Sequence, residues 1–222
     1  MRQQSMTTQY IIFSDFDGTI TAEETFVALL KQFTPDLSAQ LMPEMYAQRL
    51  TLREGVRRLL ESIPASQYAA ILDFAKTKTI RPGLPELLDF LDRQGVPFVV
   101  VSGGVRIVVE LVLGELKQRV AGIHAVDLET NGEFLKPISE FEDGTELVAK
   151  VQVMANYPCE QAIAIGDSIT DLNMALAAPI VFARDRLATY LEERGKSYIP
   201  WNDFFEVRDV LMQLWSTHKP VD

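Results

Sequence analysis

Four aspartates stand in two pairs along this chain, and each pair comes directly after a short apolar run. Asp15 and Asp17 follow the first such run, and Asp167 and Asp171 follow a later one. If both runs are parallel strands of one sheet, their carboxyl ends lie at the same edge, which is where such sheets bind ligands. Four carboxylates gathered there would repel one another without a cation, and hard oxygen ligands suit Mg2+. The sequence therefore predicts a magnesium site at this edge.

Each pair of acids also has a simpler explanation. A calcium-binding loop begins with acids two residues apart, but it needs glycine at its sixth position and an acid at its twelfth. Those positions hold Ile20 and Phe26, which excludes such a loop. An acid in the first turn of a helix is favoured by the helix dipole, but this accounts for only one of Asp167 and Asp171. An ordinary Asp-Gly turn remains an alternative for the first pair.

A hydroxyl group and a lysine could complete a phosphate site beside the aspartates. Ser102, Gly103 and Gly104 follow another apolar run, and exposed backbone N–H groups at the start of a helix bind anions. Lys150 stands in a mostly apolar helical stretch, although a lone lysine there is more often solvated. Together these groups suit phosphoryl transfer, in which one Asp attacks in line and a second handles the proton on the leaving oxygen. The glycine-rich loops that bind nucleotides do not occur in the sequence, which disfavours nucleoside triphosphates.

The apolar pattern predicts the elements that position these residues. Four runs are apolar without alternation, as in parallel strands that are buried on both faces. These runs span 10–13, 97–101, 162–165 and 180–183. Amphipathic stretches between them span 84–93, 105–116, 145–155 and 170–177. The alternation predicts an α/β fold with a doubly wound, Rossmann-like parallel sheet. Asn131-Gly132, between weaker strand signals at 125–127 and 134–135, indicates a hairpin.

Residues 21–81 interrupt the alternation of strands and helices. The segment has no β-like run and predicts four helices. These helices span 22–33, 36–48, 52–63 and 66–78. Pro43 should kink or split the second helix. We therefore predict a catalytic core formed by residues 8–20 and 82–216, with an inserted helical-bundle cap domain at 21–81.

Composition restricts the partners of the protein. The 222 residues carry 21 Lys and Arg against 31 Asp and Glu, a formal net charge of -10, whereas nucleic-acid binding requires a basic surface. Cys159 is the single cysteine, so no internal disulfide can form. No apolar run approaches the roughly 18 residues of a membrane span. We expect a cytoplasmic protein that binds a small phosphate ester, with no nucleic-acid or membrane partner; the sequence leaves the oligomeric state open.

The motifs together resemble those of the haloacid dehalogenase-like superfamily of phosphohydrolases. The resemblance spans most of the chain and implies a Rossmann-like core with a helical cap between the first and second motifs. Four motifs match in order: Asp15-Phe16-Asp17-Gly18-Thr19, Ser102, Lys150 and Gly166-Asp167-Ser168-Ile169-Thr170-Asp171.

The resemblance also implies a role for each matching residue. Asp15 would be the nucleophile that forms an aspartyl-phosphate, and it would bind Mg2+. Asp17 would protonate the leaving group, then activate water, and lend its backbone carbonyl to the metal. Asp167 would be the third protein ligand of the metal, with Asp171 supporting the metal or Lys150. The residues that would hold the phosphoryl group are Ser102, Gly103 and Lys150.

Phosphoserine phosphatases of this superfamily share the implied cap type. They use a Glu shortly after the first motif and an Arg of the cap to bind the amino acid. Glu24 fits the position of the Glu, and Arg57 or Arg58 could serve as the Arg. Charged residues on helices more often form a solvated face, which is the alternative for all three.

The methionine-salvage phosphatases, which act on 2-hydroxy-3-keto-5-methylthiopentenyl-1-phosphate, resemble more of the chain. Three further stretches match them: 52–56, 182–185 and 200–208. Four apolar cap residues could meet a methylthio tail, although their helical spacing equally suits the cap core: Phe26, Met42, Met45 and Tyr46. Some of these enzymes carry a Cys-rich insertion before the lysine, and this chain has no Cys at 139–149. The salvage substrate is our first expectation, with phosphoserine or another small phosphate ester as the alternative.

A non-catalytic alternative is a receiver-like domain that is phosphorylated on Asp to switch partners. Such a domain would need neither Asp17 as a proton donor nor an insertion of about 60 residues, which is far longer than ordinary loops. The predicted phosphatase uses both. Its cap should open and close over the core through hinges near 19–21 and 81–83.

Overall fold

The computed structural model describes residues 8–216 of the chain. These residues contain a seven-stranded sheet in the order β4-β3-β2-β1-β5-β6-β7, in which only the β3–β4 pair is antiparallel. The strands are β1 (Thr8–Ser14), β2 (Phe98–Val105), β3 (Gly122–Glu129), β4 (Lys136–Ile138), β5 (Cys159–Gly166), β6 (Ile180–Ala183) and β7 (Ile199–Pro200). The order reverses at β1, and the crevice at such a reversal is where ligands bind. The predicted doubly wound sheet is confirmed.

Strand β1 lies at the centre of the sheet and is apolar on both of its sides. Ile11 and Phe13 pack into the core on one face of the sheet, and Tyr10 and Ile12 pack into the core on the other. All four residues are at most 9% exposed. A strand that is buried on both faces shows no polar alternation, which explains the unbroken apolar run.

Helices cover both faces of the sheet. The α-helices are α1 (Thr25–Phe33), α2 (Pro35–Tyr46), α3 (Leu52–Glu61), α4 (Tyr68–Ala75), α5 (Leu84–Gln94), α6 (Arg106–Leu113), α7 (Lys150–Ala155), α8 (Leu172–Ala177), α9 (Asp185–Glu193) and α10 (Phe204–Ser216). Buried residues of α5 and α10 pack on one face, and those of α8 and α9 pack on the other. Within residues 8–216, no helix is long and apolar enough to cross a membrane.

The first four helices, α1 to α4, all lie between β1 and β2 in the chain. They form the inserted helical bundle that the sequence predicts, so this part of the predicted fold is confirmed. We call this insertion the cap, and its bounds at 21–81 stay a prediction. Pro43 lies inside α2 without splitting it, because the helix continues to Tyr46.

Most elements differ by a few residues from their predicted bounds, among them one helix and one strand near the cap. The helix predicted at 145–155 begins only at Lys150. The Asp143 side chain accepts hydrogen bonds from two following backbone N–H groups, both at 2.7 Å, and thereby keeps that stretch in a turn. The second strand of the predicted hairpin is β4, which begins just beyond the expected 134–135 and pairs antiparallel with β3.

Arg81 joins the two places where the chain crosses between sheet and cap. Its guanidinium donates hydrogen bonds to the backbone carbonyls of Gly18 at 2.6 Å, Thr19 at 2.9 Å and Thr21 at 3.3 Å. It also donates to the carbonyl of Asn202 at 3.2 Å, late in the chain. Because a buried guanidinium must find acceptors for its donors within the protein, this one side chain fixes the loop that follows β1.

A second set of contacts holds the cap to the segment between β4 and α7. The Glu142 carboxylate accepts hydrogen bonds from the guanidinium groups of Arg53 and Arg57, the latter at 2.7 Å. The backbone N–H of Arg53 also donates to the carbonyl of Thr145 at 2.7 Å. The cap is therefore attached to the core at a place remote in sequence from its two chain crossings.

Candidate active site

Three aspartates from the ends of β1 and β5 converge at the centre of the sheet edge. Asp15, Asp167 and Asp171 each offer a carboxylate oxygen, and these atoms lie within 4.8 Å of one another. All three residues are at most 4% exposed. The backbone N–H of Asp15 donates to the carbonyl of Ile165 at 2.9 Å, which holds the two loops together. The structure thus brings together three of the four aspartates that the sequence singles out.

Lys150, the first residue of α7, reaches into this cluster. Its Nζ contacts Asp15 Oδ1 and lies 2.6 Å from Asp171 Oδ1. The residue is 2% exposed, so it is not a solvated surface lysine. Burial alone would lower the pKa of Lys150, but the negative charges of Asp15 and Asp171 outweigh burial and raise it. The lysine is therefore protonated at neutral pH.

Asp171 is engaged by the protein through both of its carboxylate oxygens. One oxygen accepts the hydrogen bond from Lys150, and the other accepts from the backbone N–H groups of Asp167 and Ser168, each at 3.0 Å. An added Cβ on Gly166 would lie 2.6 Å from Asp171 Cγ, so the carboxylate can approach the strand only because residue 166 is glycine. Asp171 therefore fixes the loop after β5 and the position of Lys150.

Asp17 lies between the cap and the end of β2. One of its oxygens accepts a hydrogen bond from the backbone N–H of Phe26 in α1 at 2.8 Å, and the other accepts from Ser102 Oγ at 3.2 Å. Burial raises the pKa of Asp17 to about 6, and these two hydrogen bonds offset part of the effect of burial. A carboxyl group with a pKa near neutrality can both donate and accept a proton.

Ser102, Gly103 and Gly104 lie near the end of β2 and bring its backbone beside Asp17. Ser102 is fully buried, and its Oγ accepts a hydrogen bond from the backbone N–H of Gly104 at 2.9 Å. An added Cβ on Gly104 would lie 2.9 Å from Asp17 Oδ2, whereas one on Gly103 would meet nothing within 4 Å. Gly104 therefore permits the close approach of Asp17, and Gly103 borders open space.

Asp167 joins the loop after β5 to the loop after β1. Its Oδ1 accepts a hydrogen bond from Thr19 Oγ1 at 3.1 Å. Gly18 has a φ of +77°, and an added Cβ there would lie 2.9 Å from Asp167 Cγ. Both the backbone conformation and the close approach therefore require glycine at residue 18.

Negative charge in the cluster exceeds the positive charge that the protein supplies. Burial and the charge of Asp171 raise the pKa of Asp167 to about 8, and they raise the pKa of Asp15 despite the opposing effect of Lys150. Within residues 8–216, the hydrogen bonds of Asp15 and Asp167 described above engage one carboxylate oxygen of each. Buried carboxylates with oxygens to spare and too little positive charge fit a hard divalent cation.

A cleft extends from these carboxylates along the cap. Its empty volume is about 1020 Å3, which includes space that is open to solvent. Its polar end is formed by Asp15, Asp17, Gly103, Gly104 and Lys150. Its cap wall is almost wholly apolar and is formed by Phe26, Val27, Leu30, Met42, Met45, Tyr46, Leu52 and Val56. The cleft therefore has one end suited to a small anion and one suited to an apolar group.

Of the three cap residues predicted to bind substrate, the structure brings one to the cleft. Glu24 lines it. Arg57 instead pairs with Glu142 at 2.7 Å and with Glu61 at 3.3 Å. Arg58 pairs with Glu54 at 3.6 Å, and its side chain is 56% exposed. Neither arginine lines the cleft, because the face of α3 that turns inward carries its apolar residues.

Two charged residues of the cleft were not singled out in the sequence. Glu146 lies in the stretch expected to be helical, and burial raises its pKa to about 7. Arg186 lies at the start of α9, with its guanidinium 5.2 Å from the centre of the Tyr46 ring. Arg186 directly follows residues 182–185, which resemble the methionine-salvage phosphatases, so this resemblance could have drawn attention to it. Nothing local distinguishes Glu146 from an ordinary surface acid.

Comparison with known proteins gives matches over nearly the whole chain. The model of the haloacid dehalogenase-like hydrolase family matches residues 12–176. A 2-hydroxy-3-keto-5-methylthiopentenyl-1-phosphate phosphatase of Microcystis aeruginosa (strain NIES-843 / IAM M-2473) is 55% identical over 204 residues, covering 91% of this chain and 97% of that protein. A protein of the same name from Geobacillus kaustophilus (strain HTA426) is 33% identical over 228 residues, covering 94% and 98%.

Solved structures share the fold at much lower identity. A phospho-aspartyl intermediate analogue of phosphoserine phosphatase matches with a TM-score of 0.67 and 21% identity, covering 91% of this chain and 99% of that one. A phosphoserine phosphohydrolase-like protein from Francisella tularensis subsp. tularensis SCHU S4 matches with a TM-score of 0.69 and 17% identity, with the same coverage. These likenesses concern the fold alone. Since the family model spans most of the sequence and a relative is 55% identical across nearly all of it, the chain belongs to the haloacid dehalogenase-like hydrolase family.

Proposed function

We propose that this phosphatase is a cytoplasmic, Mg2+-dependent enzyme of methionine salvage that hydrolyses 2-hydroxy-3-keto-5-methylthiopentenyl-1-phosphate. The observation that carries the proposal is the cleft, which joins the carboxylates and Lys150 to an apolar wall that includes Met42 and Met45. A phosphate ester with a methylthio tail is complementary to both ends of the cleft. The Microcystis and Geobacillus proteins that bear the name of this activity support the proposal by their similarity over most of the chain.

Phosphoserine is the second candidate substrate. Glu24 and Arg186 both line the cleft, and they could take the ammonium and the carboxylate of the amino acid. The apolar cap wall argues for the salvage substrate, because phosphoserine has no apolar group to place against it and would leave that wall in contact with water.

In the proposed reaction, a carboxylate oxygen of Asp15 attacks phosphorus in line, and the bond from phosphorus to the ester oxygen breaks to leave an aspartyl-phosphate. Asp17 donates a proton to the departing oxygen and is ionised as a result. It then takes a proton from the water that attacks the aspartyl-phosphate, which releases inorganic phosphate and restores Asp15. Ser102, Lys150 and the backbone N–H of Gly103 hold the phosphoryl oxygens.

Asp15, Asp167 and the backbone carbonyl of Asp17 are the groups that would hold Mg2+. The bound ion would neutralise charge on the carboxylates and on the phosphoryl group. We do not assign Asp171 as a ligand, because Lys150 and two backbone N–H groups already occupy its oxygens. Its proposed role is to position Lys150 and the loop that carries Asp167.

We further propose that residues 21–81 move against the core as a cap, with hinges near 19–21 and 81–83. For substrate to enter, the hydrogen bonds between Glu142 and its two cap arginines would break, while the chain crossings tied by Arg81 stay in place. Closure would exclude bulk water while the phosphoryl group is transferred to Asp15, and it would bring the apolar wall onto the substrate.

The proposed substrate is tested by measuring kcat/KM for the salvage phosphate, phosphoserine and simple phosphate esters in the presence of Mg2+. We expect the salvage phosphate to exceed phosphoserine by at least roughly tenfold, because a hydrophobic pocket discriminates by about this factor for each methylene group. Addition of EDTA should abolish activity, and Mg2+ should restore it. A preference for phosphoserine would reject the first candidate. Stable phosphorylation without turnover would favour a receiver-like domain.

Asp17→Asn should separate the two halves of the reaction. The amide can neither donate the proton to the leaving oxygen nor remove one from water, so kcat should fall by about 100-fold to 10,000-fold. With an aryl phosphate, whose leaving group needs little protonation, the aspartyl-phosphate should form and persist. Mass spectrometry of the acid-quenched protein would detect the added phosphoryl group. Wild-type turnover by this variant would contradict the role of Asp17.

A further inference from the structure

Gly55 and Met45 face each other where two cap helices pack. Met45 belongs to α2, is 8% exposed and lines the cleft. Gly55 is buried in α3. An added Cβ on Gly55 would lie 2.6 Å from Met45 Cγ, closer still to Met45 Sδ, and 3.1 Å from Leu50 Cδ2. The thioether therefore occupies the volume that a side chain on residue 55 would need.

The backbone of α3 does not itself require glycine at residue 55. The residue is in the interior of a regular helix, where alanine is more favourable than glycine because glycine loses more conformational freedom on folding. The reason for glycine at this position is therefore space. Its consequence is that the Met45 side chain packs directly against the helix backbone.

Any side chain on residue 55 would displace Met45, and the direction of that displacement is limited. Protein interiors are close-packed, so a displaced side chain moves into existing open space. The open space next to Met45 is the cleft, which Leu52 and Val56 of the same helix also line. The unbranched Met side chain changes its conformation easily. The sulfur would therefore move into the apolar end of the cleft and shorten it.

We propose that Gly55 determines specificity by seating Met45 against α3, which sets how long an apolar tail the cleft can accept. The inference rests on the proposed hydrolysis of a phosphate ester with an apolar tail, and it identifies a residue that limits that tail without lining the cleft itself. Gly55 is not a catalytic residue. Its effect on the substrate is exerted through Met45.

The test is the variant Gly55→Ala, with binding of methylphosphonate and pentylphosphonate measured by calorimetry in the presence of Mg2+. These phosphonates are not hydrolysed, so the measurement does not depend on turnover. In the wild type we expect pentylphosphonate to bind more tightly than methylphosphonate. In Gly55→Ala we expect pentylphosphonate to lose roughly tenfold in affinity, as for removal of room for one methylene group, while methylphosphonate is unchanged.

Two further variants make the result specific. Gly55→Ala combined with Met45→Ala should recover the binding of pentylphosphonate, because the smaller side chain returns the space to the cleft. Gly132→Ala adds the same methyl group in an exposed loop, where the nearest atom would be 3.5 Å away, and should bind both phosphonates as the wild type does. A crystal structure of Gly55→Ala should show the Met45 sulfur moved toward the cleft.

Three results would overturn the inference: equal binding of both phosphonates by the wild type, unchanged pentylphosphonate binding by Gly55→Ala, or a variant structure in which α3 shifts and Met45 stays in place. Failure of the proposed function would look different. In that case the wild type would not hydrolyse the salvage phosphate, whereas the dependence of phosphonate binding on residue 55 would still be observed.

Discussion

Asp15→Asn should lower kcat by at least about 10,000-fold while the protein stays folded. The expected loss is of the size seen when a catalytic nucleophile is removed from an enzyme. An amide has nearly the shape of a carboxylate but is a poor nucleophile, so the aspartyl-phosphate cannot form. The amide oxygen can still accept the hydrogen bond from Lys150, so the buried contact is kept, although its acceptor is no longer charged. Steady-state kinetics with the salvage phosphate would measure the loss.

Asp89→Asn is the matched control for this variant. Asp89 is an exposed acid that pairs with Arg119 at 2.8 Å on the surface of the core, and its replacement should leave kcat within a factor of two. Circular dichroism and thermal unfolding would establish that Asp15→Asn has the native fold. Substantial turnover by a folded Asp15→Asn protein would show that another group attacks phosphorus.

Lys150→Met should damage both stability and catalysis. Lys150 is the positive partner of Asp15 and Asp171 in a cluster that is almost fully buried. Removing one partner of a buried ion pair costs about 3–5 kcal/mol, because the remaining charge is left uncompensated. Loss of a positive charge from the proposed phosphoryl site should also lower kcat by about 100-fold to 1,000-fold. Urea unfolding and steady-state kinetics measure the two effects.

Two variants test whether the loss comes from the buried charge. Lys150→Arg keeps the charge and should recover part of the lost stability. Lys136→Met removes an exposed lysine that pairs with Glu129 at 3.0 Å, and it should change the unfolding free energy by less than about 1 kcal/mol. If Lys150→Met were as stable as Lys136→Met, the buried ion pairs described here would not contribute to the stability of the fold.

The aspartates were predictable from the sequence because the rule that locates them is topological. Asp15 and Asp167 follow unbroken apolar runs, and parallel strands bring such ends to one edge whatever the helices between them do. Lys150 was harder to assign, because a lysine in a helix can face solvent or core. In the structure, the turn held by Asp143 precedes α7, and the helix begins at Lys150, which lies beside the cluster.

The cap residues show where prediction from sequence reaches its limit. Arg57 and Arg58 have the charge that an amino-acid substrate would need. Acids on the same helix and on neighbouring segments pair with them instead. Glu142, which pairs with Arg57, is 85 residues away in the chain. Glu146, which lines the cleft, belongs to the same irregular segment. Contacts between segments so far apart, without regular structure, leave no periodic pattern to detect.

The central place of β1 in the sheet bears on how the protein is made. Strand β1 is synthesised well before β5, which is one of its two neighbours in the sheet, and the Asp15–Lys150 and Thr19–Asp167 contacts span 135 and 148 residues. Contacts over such separations form late, because a long loop must close before they contribute. The edge of β1 that pairs with β5 therefore stays unpaired until most of the chain has been synthesised. The candidate site is thus assembled near the end of folding, and a polypeptide that stops before β5 would carry Asp15 without the groups that hold it in position.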